Sequence, residues 1–116
     1  MPSETINYLE LPCANIAKTK TFFSDCFNWQ FTDYGEEYTA FDAQGFTGGF
    51  YKSINCSTQA TGGCLVVLLS DNLEESLAKV KANNGIIIQE IFDFPGGRRF
   101  HFTEPSGNEF AVWSEI

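Results

Sequence analysis

The sequence has few of the residues that most catalytic metal sites use: His101 is the single histidine among 116 residues. It also has no run of about 18 apolar residues, the length that a membrane-spanning helix needs. Residues 1–5, MPSET, show neither the basic start nor the apolar stretch of a signal peptide. These absences predict a cytoplasmic protein that has no membrane partner.

Basic residues are also scarce. Seven lysines and arginines stand against fifteen acidic residues, which gives a formal charge of −8. Such a surface repels a phosphate backbone instead of releasing its counterions, so we expect no nucleic-acid partner. The acidic residues are spread along the chain, which is typical of a solvated surface and not of an acidic tail.

The four cysteines, Cys13, Cys26, Cys56 and Cys64, have no CxxC spacing and no clustered histidines beside them. Neither a zinc knuckle nor a redox pair is therefore indicated. With 43% hydrophobic residues, a chain of this length buries an ordinary core without disulfides. We therefore expect free thiols that are buried or partly buried.

What the sequence does contain is regular hydrophobic alternation. In the first half it predicts a strand over residues 6–11 that Pro12 ends, and a helix from Ile16 to Phe27 that Asn15 caps. Three short strands follow, at residues 29–32, 38–41 and 46–52. Residues 53–63, SINCSTQATGG, are small and polar and indicate a loop.

The same order then starts again. An apolar strand at residues 64–69 precedes a helix that Asp71 and Glu74 open as a capping box and Gly85 ends. A strand begins at Ile86, and residues 98–113 form a hairpin around the turn 104–108, EPSGN.

The two halves superimpose, Tyr8 on Cys64 with an offset of 56 positions and Gly45 on Gly107 with an offset of 62. Residues 1–116 are thus predicted to be a single domain made of two repeats, 5–52 and 64–115. The predicted fold class is α+β. Two βαβββ repeats form a curved mixed sheet, as half-barrels around a cleft, with the helices outside.

Three segments carry a resemblance to the glyoxalase/bleomycin-resistance/extradiol-dioxygenase superfamily, also called vicinal oxygen chelate. They are Tyr8-Leu9-Glu10-Leu11-Pro12, the helix end Phe22-Phe23-(x)3-Phe27-Asn28-Trp29, and Glu104-Pro105-Ser106-Gly107-Asn108. The last is similar to the family's Asp-Pro-(x)-Gly-Asn turn, with Glu104 in place of Asp. The resemblance covers nearly all of the chain and implies a glyoxalase-like fold.

The resemblance also implies where a metal would lie. Members of that family typically bind a divalent metal through His and Glu side chains of the first and last strands of each unit. Those positions fall here on Tyr8, Gly49, Cys64 and Ala111. One thiol cannot hold a catalytic metal, and one histidine excludes a 2-His-1-carboxylate site within one chain. We therefore expect no metal and no other cofactor.

If Gly49 and Ala111 face the cleft, alternation places further side chains there. The predicted ligand-binding residues are Tyr8, Glu10, Tyr51, Cys64, Glu109 and Trp113, with Thr47, Val66 and Leu68 also lining the cleft. Such a site suits a flat aromatic or a cationic small molecule, through stacking and cation–π attraction. The alternative is that the rings fill the interior of the sheet structure.

The candidates for acid/base chemistry are Glu10, Glu109 and His101. If Glu10 and Glu109 lie close together and are desolvated, the charge of one raises the pKa of the other, and the two could act as a general acid and base. The alternative is that both are solvated at the rim of the cleft and have no catalytic role. His101 alternates with Phe100 and Phe102, so it faces either the cleft or solvent. Gly96, Gly97, Arg98 and Arg99 are predicted to form a hairpin turn with two surface cations, in preference to an anion site.

The leading hypothesis is a metal-independent, bleomycin-resistance-like protein that binds a small organic molecule and forms a homodimer. The first alternative is a lyase, isomerase or dioxygenase-like enzyme of the same fold that uses Glu10, Glu109 or His101. The second is a module that binds a partner protein through its sheet. Exposed sheet edges, which a second subunit would cover, favour the homodimer.

Overall fold

A computed structural model describes residues 2–116, and Met1 lies outside the described residues. The elements are β1 (Leu9–Cys13), α1 (Ile16–Phe27), β2 (Gln30–Asp33), β3 (Tyr38–Ala43), β4 (Phe46–Lys52), β5 (Val66–Leu69), α2 (Leu73–Ala82), β6 (Ile86–Phe94), β7 (Gly97–Thr103) and β8 (Glu109–Ser114), with a 3₁₀ turn at Gln59–Thr61. Across residues 2–116, neither helix is long and apolar enough to cross a membrane.

The strands form two four-stranded sheets with the same topology. The order is β1-β4-β3-β2 in the first sheet and β5-β8-β7-β6 in the second. In each, the first strand of the repeat runs parallel to the last, and the other pairings are antiparallel. The predicted fold class, two βαβββ repeats with mixed sheets, is confirmed.

One hydrophobic core serves both repeats. Phe23 of α1 lies 5.7 Å from Phe50 of the first sheet and 5.0 Å from Phe110 of the second, measured between ring centroids. Phe22 similarly lies 5.6 Å from Phe102. The side of each sheet that faces α1 is therefore closed by packed rings, and the opposite faces point away from this core.

The ends of α1 follow the prediction. Asn15 has extended backbone, and its side chain accepts a hydrogen bond from the Lys18 N–H. Asn28 ends the helix in the left-handed region, at φ 62°. The core face of the helix holds the expected Thr19, Phe22 and Phe23.

The predicted cap of α2 is wrong by one residue. Asn72, not Asp71, has the extended backbone, and its Oδ1 accepts from the Glu75 N–H at 3.1 Å. At the other end, Asn84 and not Gly85 takes the left-handed conformation, at φ 71°. Gly85 is needed for close packing instead, because a Cβ there would lie 2.9 Å from the Phe22 ring.

Two predicted strand limits are also corrected. Pro12 does not end β1, since it pairs with Tyr51 inside the strand. β1 is an edge strand, where a residue without an N–H is tolerated. Ile6, expected to point inward, precedes the strand and is 77% exposed. In the second repeat, β5 begins at Val66, so Cys64 lies before the strand.

All four cysteines are free, as expected. Cys13 and Cys26 are buried, whereas Cys56 and Cys64 are exposed, which corrects the expectation that all would be at least partly buried. The exposed pair flanks the segment that connects the repeats, where no strand or long helix covers it.

A buried carboxylate joins the second repeat to the first. Glu104, 2% exposed, accepts a hydrogen bond from the Thr19 hydroxyl of α1 at 2.6 Å. It also accepts from the Ser106 N–H at 2.9 Å and from the Asn108 side-chain amide at 2.8 Å. Burial raises the pKa of the Glu104 carboxyl, and these hydrogen bonds oppose that rise.

The rest of the EPSGN turn binds the junction between β1 and α1. The Asn108 side-chain amide donates to the Pro12 carbonyl at 2.6 Å. The Ser106 hydroxyl accepts from the Asn15 N–H at 3.0 Å. Gly107 has φ 94°, a left-handed conformation that favours glycine and closes the turn. The turn is thus both a hairpin turn and the link between the repeats.

We expect Thr19→Val to destabilise the fold by about 1–3 kcal/mol, because it leaves a buried carboxylate oxygen without one of its donors. Urea unfolding measures the free energy. Thr32→Val is the matched control. Thr32 is exposed on β2 and its hydroxyl makes no hydrogen bond within residues 2–116, so its effect should stay within about 0.5 kcal/mol. Equal effects of the two substitutions would contradict this role of Glu104.

Candidate functional site

The polar residues predicted for the site lie on the sheet faces that point away from the core. On the first sheet, Tyr38 pairs with Tyr51 and Ala40 with Gly49. These residues share one face, because alternate residues of a strand point to the same side. Tyr8 and Tyr51 are 39% and 41% exposed, so this face is accessible.

Tyr38 is the centre of a hydroxyl–carboxylate network on this first-sheet face. Its hydroxyl donates to Glu10 Oε2 at 2.8 Å and lies 2.6 Å from the Tyr8 hydroxyl. Desolvation, followed by the hydrogen bonds with Tyr8 and Glu10, raises the pKa of Tyr38. The Tyr38 phenol therefore stays protonated at neutral pH and acts as a donor to Glu10.

Gly49 makes room for this network. A Cβ at Gly49 would overlap the hydroxyl of Tyr38 and would lie 2.9 Å from that of Tyr8. The space above Gly49 is thus filled by a tyrosine side chain that reaches over from β3.

On the second sheet, the central feature of the outward face is a hydrogen bond between His101 and Glu109. His101 Nδ1 lies 2.8 Å from Glu109 Oε2, and the two residues are 6% and 7% exposed. His101 faces away from the core that holds Phe100 and Phe102, and it is not exposed to solvent. His101 Nε2 is buried and has no hydrogen-bond partner within residues 2–116.

The segment between the repeats covers this pair. The Gln59 N–H, in the 3₁₀ turn, donates to Glu109 Oε1 at 2.9 Å. Ser57 accepts from the Glu109 N–H and donates its own N–H to Asn108 Oδ1 at 2.7 Å. Desolvation raises the pKa of Glu109, but the hydrogen bonds from His101 and Gln59 outweigh it, so the pKa is lowered overall.

Aromatic rings and one arginine surround His101. Phe92 lies 6.0 Å from the imidazole, between ring centroids. The Arg99 guanidinium lies 5.5 Å from the centre of the Phe92 ring and 5.2 Å from that of Phe94. Trp113, opposite Arg99 in the sheet, donates its indole N–H to the Gly96 carbonyl at 3.0 Å. The outward face of the second sheet is therefore lined by aromatic rings and one guanidinium group.

The structure brings some of the predicted site residues together and separates others. Tyr8, Glu10 and Tyr51 share the first-sheet face, and His101, Glu109 and Trp113 share the second. Within residues 2–116 no hydrogen bond, salt bridge or aromatic contact joins the two groups. Glu10 and Glu109 are therefore not a carboxylate pair, and the partner of Glu109 is His101.

Val66 and Leu68 do not line the predicted cleft. Both pack against the hydrophobic core, while Val67 and Leu69 face outward, 45% and 76% exposed. Cys64 lies apart from both faces, in a groove of about 940 Å³ beside β5 that is lined mainly by apolar residues. The register of β5 against β8 explains the orientation of Val66 and Leu68, because it pairs them with the core residues Phe110 and Val112 and places Val67 beside Ala111.

Sequence reasoning did not find Tyr38, Phe92 or Gln59. The register of the β3–β4 hairpin could have placed Tyr38 beside Gly49. Phe92 could not have been placed, because β6 contains two irregularities between Ile87 and Phe92 that shift its alternation. The contact of Gln59 depends on the path of an irregular segment that has no periodicity.

A sequence model of the Glyoxalase/Bleomycin resistance protein/Dioxygenase superfamily matches residues 5–112, so the chain belongs to this superfamily. This match confirms the resemblance inferred from the sequence. A search of curated proteins finds no match.

Solved structures agree with this assignment. The genomically encoded fosfomycin resistance protein of Listeria monocytogenes is similar at a TM-score of 0.80 and 17% identity, over 98% of this chain and 94% of that one. A glyoxalase-related enzyme of Fulvimarina pelagi reaches 0.79 and 11%, over 96% and 88%. Lactoylglutathione lyase of Agrobacterium tumefaciens reaches 0.74 and 14%, over 98% and 96%. At these identities the likeness establishes the fold.

The residues at the family's metal positions do not fit a metal. Gly49 and Ala111 have no donor atom, and the space above Gly49 belongs to Tyr38. Cys64 lies outside the strand, in the groove beside β5 that neither Tyr8 nor Ala111 lines. A divalent metal needs three or more convergent donors, and residues 2–116 contain no group of three His, Cys, Asp or Glu side chains placed to hold one.

We expect Glu109→Gln to lower the melting temperature at neutral pH, with the difference from the wild type shrinking as the pH falls below about 4.5, the ordinary value for Glu. A lowered pKa in the folded state stabilises the fold above the unfolded-state pKa and loses that effect as the carboxylate is protonated. Thermal unfolding across a pH series measures this. Glu90→Gln, exposed on β6, is the control and should show no such trend. A pH-independent difference would contradict the stabilising role of the ionised Glu109 carboxylate.

Proposed function

We propose that this chain binds a small organic molecule on its outward sheet faces, and that it does so without the divalent metal of its superfamily. The observation that carries the proposal is the position of the Tyr38 hydroxyl, which fills the space above Gly49 and forms hydrogen bonds with Tyr8 and Glu10. A network of two hydroxyls and one carboxylate therefore occupies the space where metal ligands would lie.

The chemistry of the faces supports an aromatic ligand. Tyr8 and Tyr51 are accessible on the first sheet, and Trp113 is partly exposed on the second. Each stacking or cation–π contact contributes on the order of 0.5–2 kcal/mol. Glu10 is exposed beside the tyrosines and could accept from a cationic group. The structural likeness to a fosfomycin resistance protein is consistent with a small-molecule ligand.

We also propose that the protein is a homodimer. The two faces point away from the shared core, so each is half of a cleft in a single chain. A second copy could set the first-sheet face of one subunit against the second-sheet face of the other. It would also cover edge strands such as β5, where Leu69 is 76% exposed.

An enzyme is the second candidate, since the His101–Glu109 pair favours it. A carboxylate at Nδ1 orients an imidazole and leaves Nε2 as the position for proton transfer. With both residues buried, this pair could serve a lyase or isomerase that moves a proton without metal. Glu10 is not placed to join it within one chain, because it lies on the other sheet.

Protein purified without chelator should contain no stoichiometric metal when measured by inductively coupled plasma mass spectrometry. Residues 2–116 offer no group of three convergent His, Cys, Asp or Glu side chains, so we expect that adding Zn²⁺, Mn²⁺ or Ni²⁺ does not raise the melting temperature. One bound metal per chain, or a saturable stabilisation by one of these ions, would overturn the metal-independent part of the proposal.

A thermal-shift screen of aromatic small molecules should find ligands that raise the melting temperature, and Trp113→Ala should abolish the shift. Phe46→Ala, at a residue 43% exposed at the start of β4, removes an aromatic side chain from the opposite face of the first sheet and should leave the shift unchanged. Size-exclusion chromatography with light scattering reports the dimer in the same samples.

The recovered ligand separates the two candidate functions. A binding protein returns the ligand unchanged, as mass spectrometry would show. Conversion of the ligand by the wild type that is abolished in His101→Gln, measured at saturating ligand, would establish the enzyme. If no aromatic compound of any charge stabilises the protein, the proposal of a small-molecule site fails.

A further inference from the structure

We propose that Arg99 and His101 form a subsite for an anionic group of the ligand, either a carboxylate or a phosphate or phosphonate. This inference rests on the proposed small-molecule site and adds the charge of the ligand to it. Both side chains lie on the outward face of β7, two residues apart, and both adjoin the ring of Phe92.

The side chain of Arg99 makes no salt bridge and no hydrogen bond with any of residues 2–116, and its Nε is buried. The neighbouring Arg98 behaves differently, since it donates to both carboxylate oxygens of Glu74 and to the Ile116 carbonyl. Fifteen acidic residues are present in this chain, so an unpaired guanidinium is not due to a shortage of carboxylates. An arginine that is partly buried and unpaired is suited to a partner from outside the chain.

The two phenylalanine rings hold the guanidinium in place. Its central carbon lies 5.5 Å from the centre of the Phe92 ring and 5.2 Å from that of Phe94. Contact with both rings removes water from the cation and limits its motion. A preoriented, partly desolvated guanidinium binds the two oxygens of a carboxylate or phosphate more strongly than a mobile surface lysine does.

His101 provides the second, independent sign of a ligand. It is 94% buried, since 6% of it is exposed, and Glu109 occupies Nδ1. Nε2 is therefore the free ring nitrogen, and it has no partner within residues 2–116. A buried polar atom without a partner is destabilising, because it has lost its hydrogen bonds to water. An anionic oxygen that accepts from Nε2–H, when the ring carries both protons, would remove this destabilisation.

The two groups differ in accessibility, which suggests an order of contact. Arg99 is partly exposed, whereas Nε2 of His101 has no exposed surface. The anionic group of a ligand would meet Arg99 first and reach His101 after a small movement of the covering side chains. The ring of Phe92 adjoins both groups and is a candidate for that movement.

The test uses the full chain and four probes: benzoate, phenylphosphonate, the neutral benzamide and the cationic benzylamine. Because His101 is the single histidine, its imidazole signals in a ¹H–¹⁵N NMR spectrum need no further assignment. We expect benzoate or phenylphosphonate to shift the Nε2 signal saturably and to bind about tenfold or more tightly than benzamide. A charge-assisted hydrogen bond contributes about 1.5–3 kcal/mol, and each 1.4 kcal/mol is tenfold in affinity.

Two matched variants locate the subsite. Arg99→Gln should weaken binding of the anionic probe by about tenfold or more and leave that of benzamide unchanged. Arg98→Gln removes the same charge one position away, at a residue that pairs with Glu74, and should keep the affinity of the wild type. The preference between benzoate and phenylphosphonate distinguishes a carboxylate from a phosphorus oxyanion.

The outcomes separate this inference from the proposed function. If benzamide or benzylamine binds and neither anion binds more tightly, the anion subsite is wrong and the small-molecule site stands. Equal losses in Arg99→Gln and Arg98→Gln would also overturn the subsite, since they would indicate a general charge effect. If none of the four probes binds, the proposed small-molecule site fails together with the inference.

Discussion

The fold depends on one buried carboxylate that two repeats share. Glu104 belongs to the second repeat, yet it accepts from Thr19 of the first, and its neighbours Ser106 and Asn108 bind the backbone at Asn15 and Pro12. A carboxylate that is 2% exposed is stable only when donors surround it, so its position fixes the relative placement of both repeats. The single aromatic core between the sheets follows from this placement.

Because the aromatic core occupies one face of each sheet, the candidate functional side chains lie on the opposite faces. The first carries tyrosines and Glu10, and the second carries Arg99 with the His101–Glu109 pair. The segment that connects the repeats takes part as well, because the Gln59 N–H fixes Glu109 and Ser57 fixes Asn108. One short loop thus supports the site and the turn that joins the repeats. The outward faces of the two sheets therefore present hydroxyl, carboxylate, imidazole and guanidinium groups.

The sequence was sufficient for the fold because its strong signals are local: alternation, the Asn15 cap and the EPSGN turn. It failed where tertiary contacts decide. Pro12 is tolerated because β1 is an edge strand, which alternation cannot reveal. Asp71 and Asn72 are both good N-cap residues, and which of them caps α2 depends on whether the helix begins at residue 72 or 73. The direction of His101 was left open, although the turn alone pairs Thr103 with Glu109 and so places His101 on the face of that carboxylate.

The filled space above Gly49 limits which substitutions fit there. Replacing Gly49 by glutamate would put a side chain where the Tyr38 hydroxyl already lies, so that change alone does not fit the present structure. Tyr38 would have to become smaller first. Either change by itself damages the present network. Substitutions at Gly49 and Tyr38 are therefore expected to be non-additive, since a larger side chain at Gly49 fits only beside a smaller one at Tyr38.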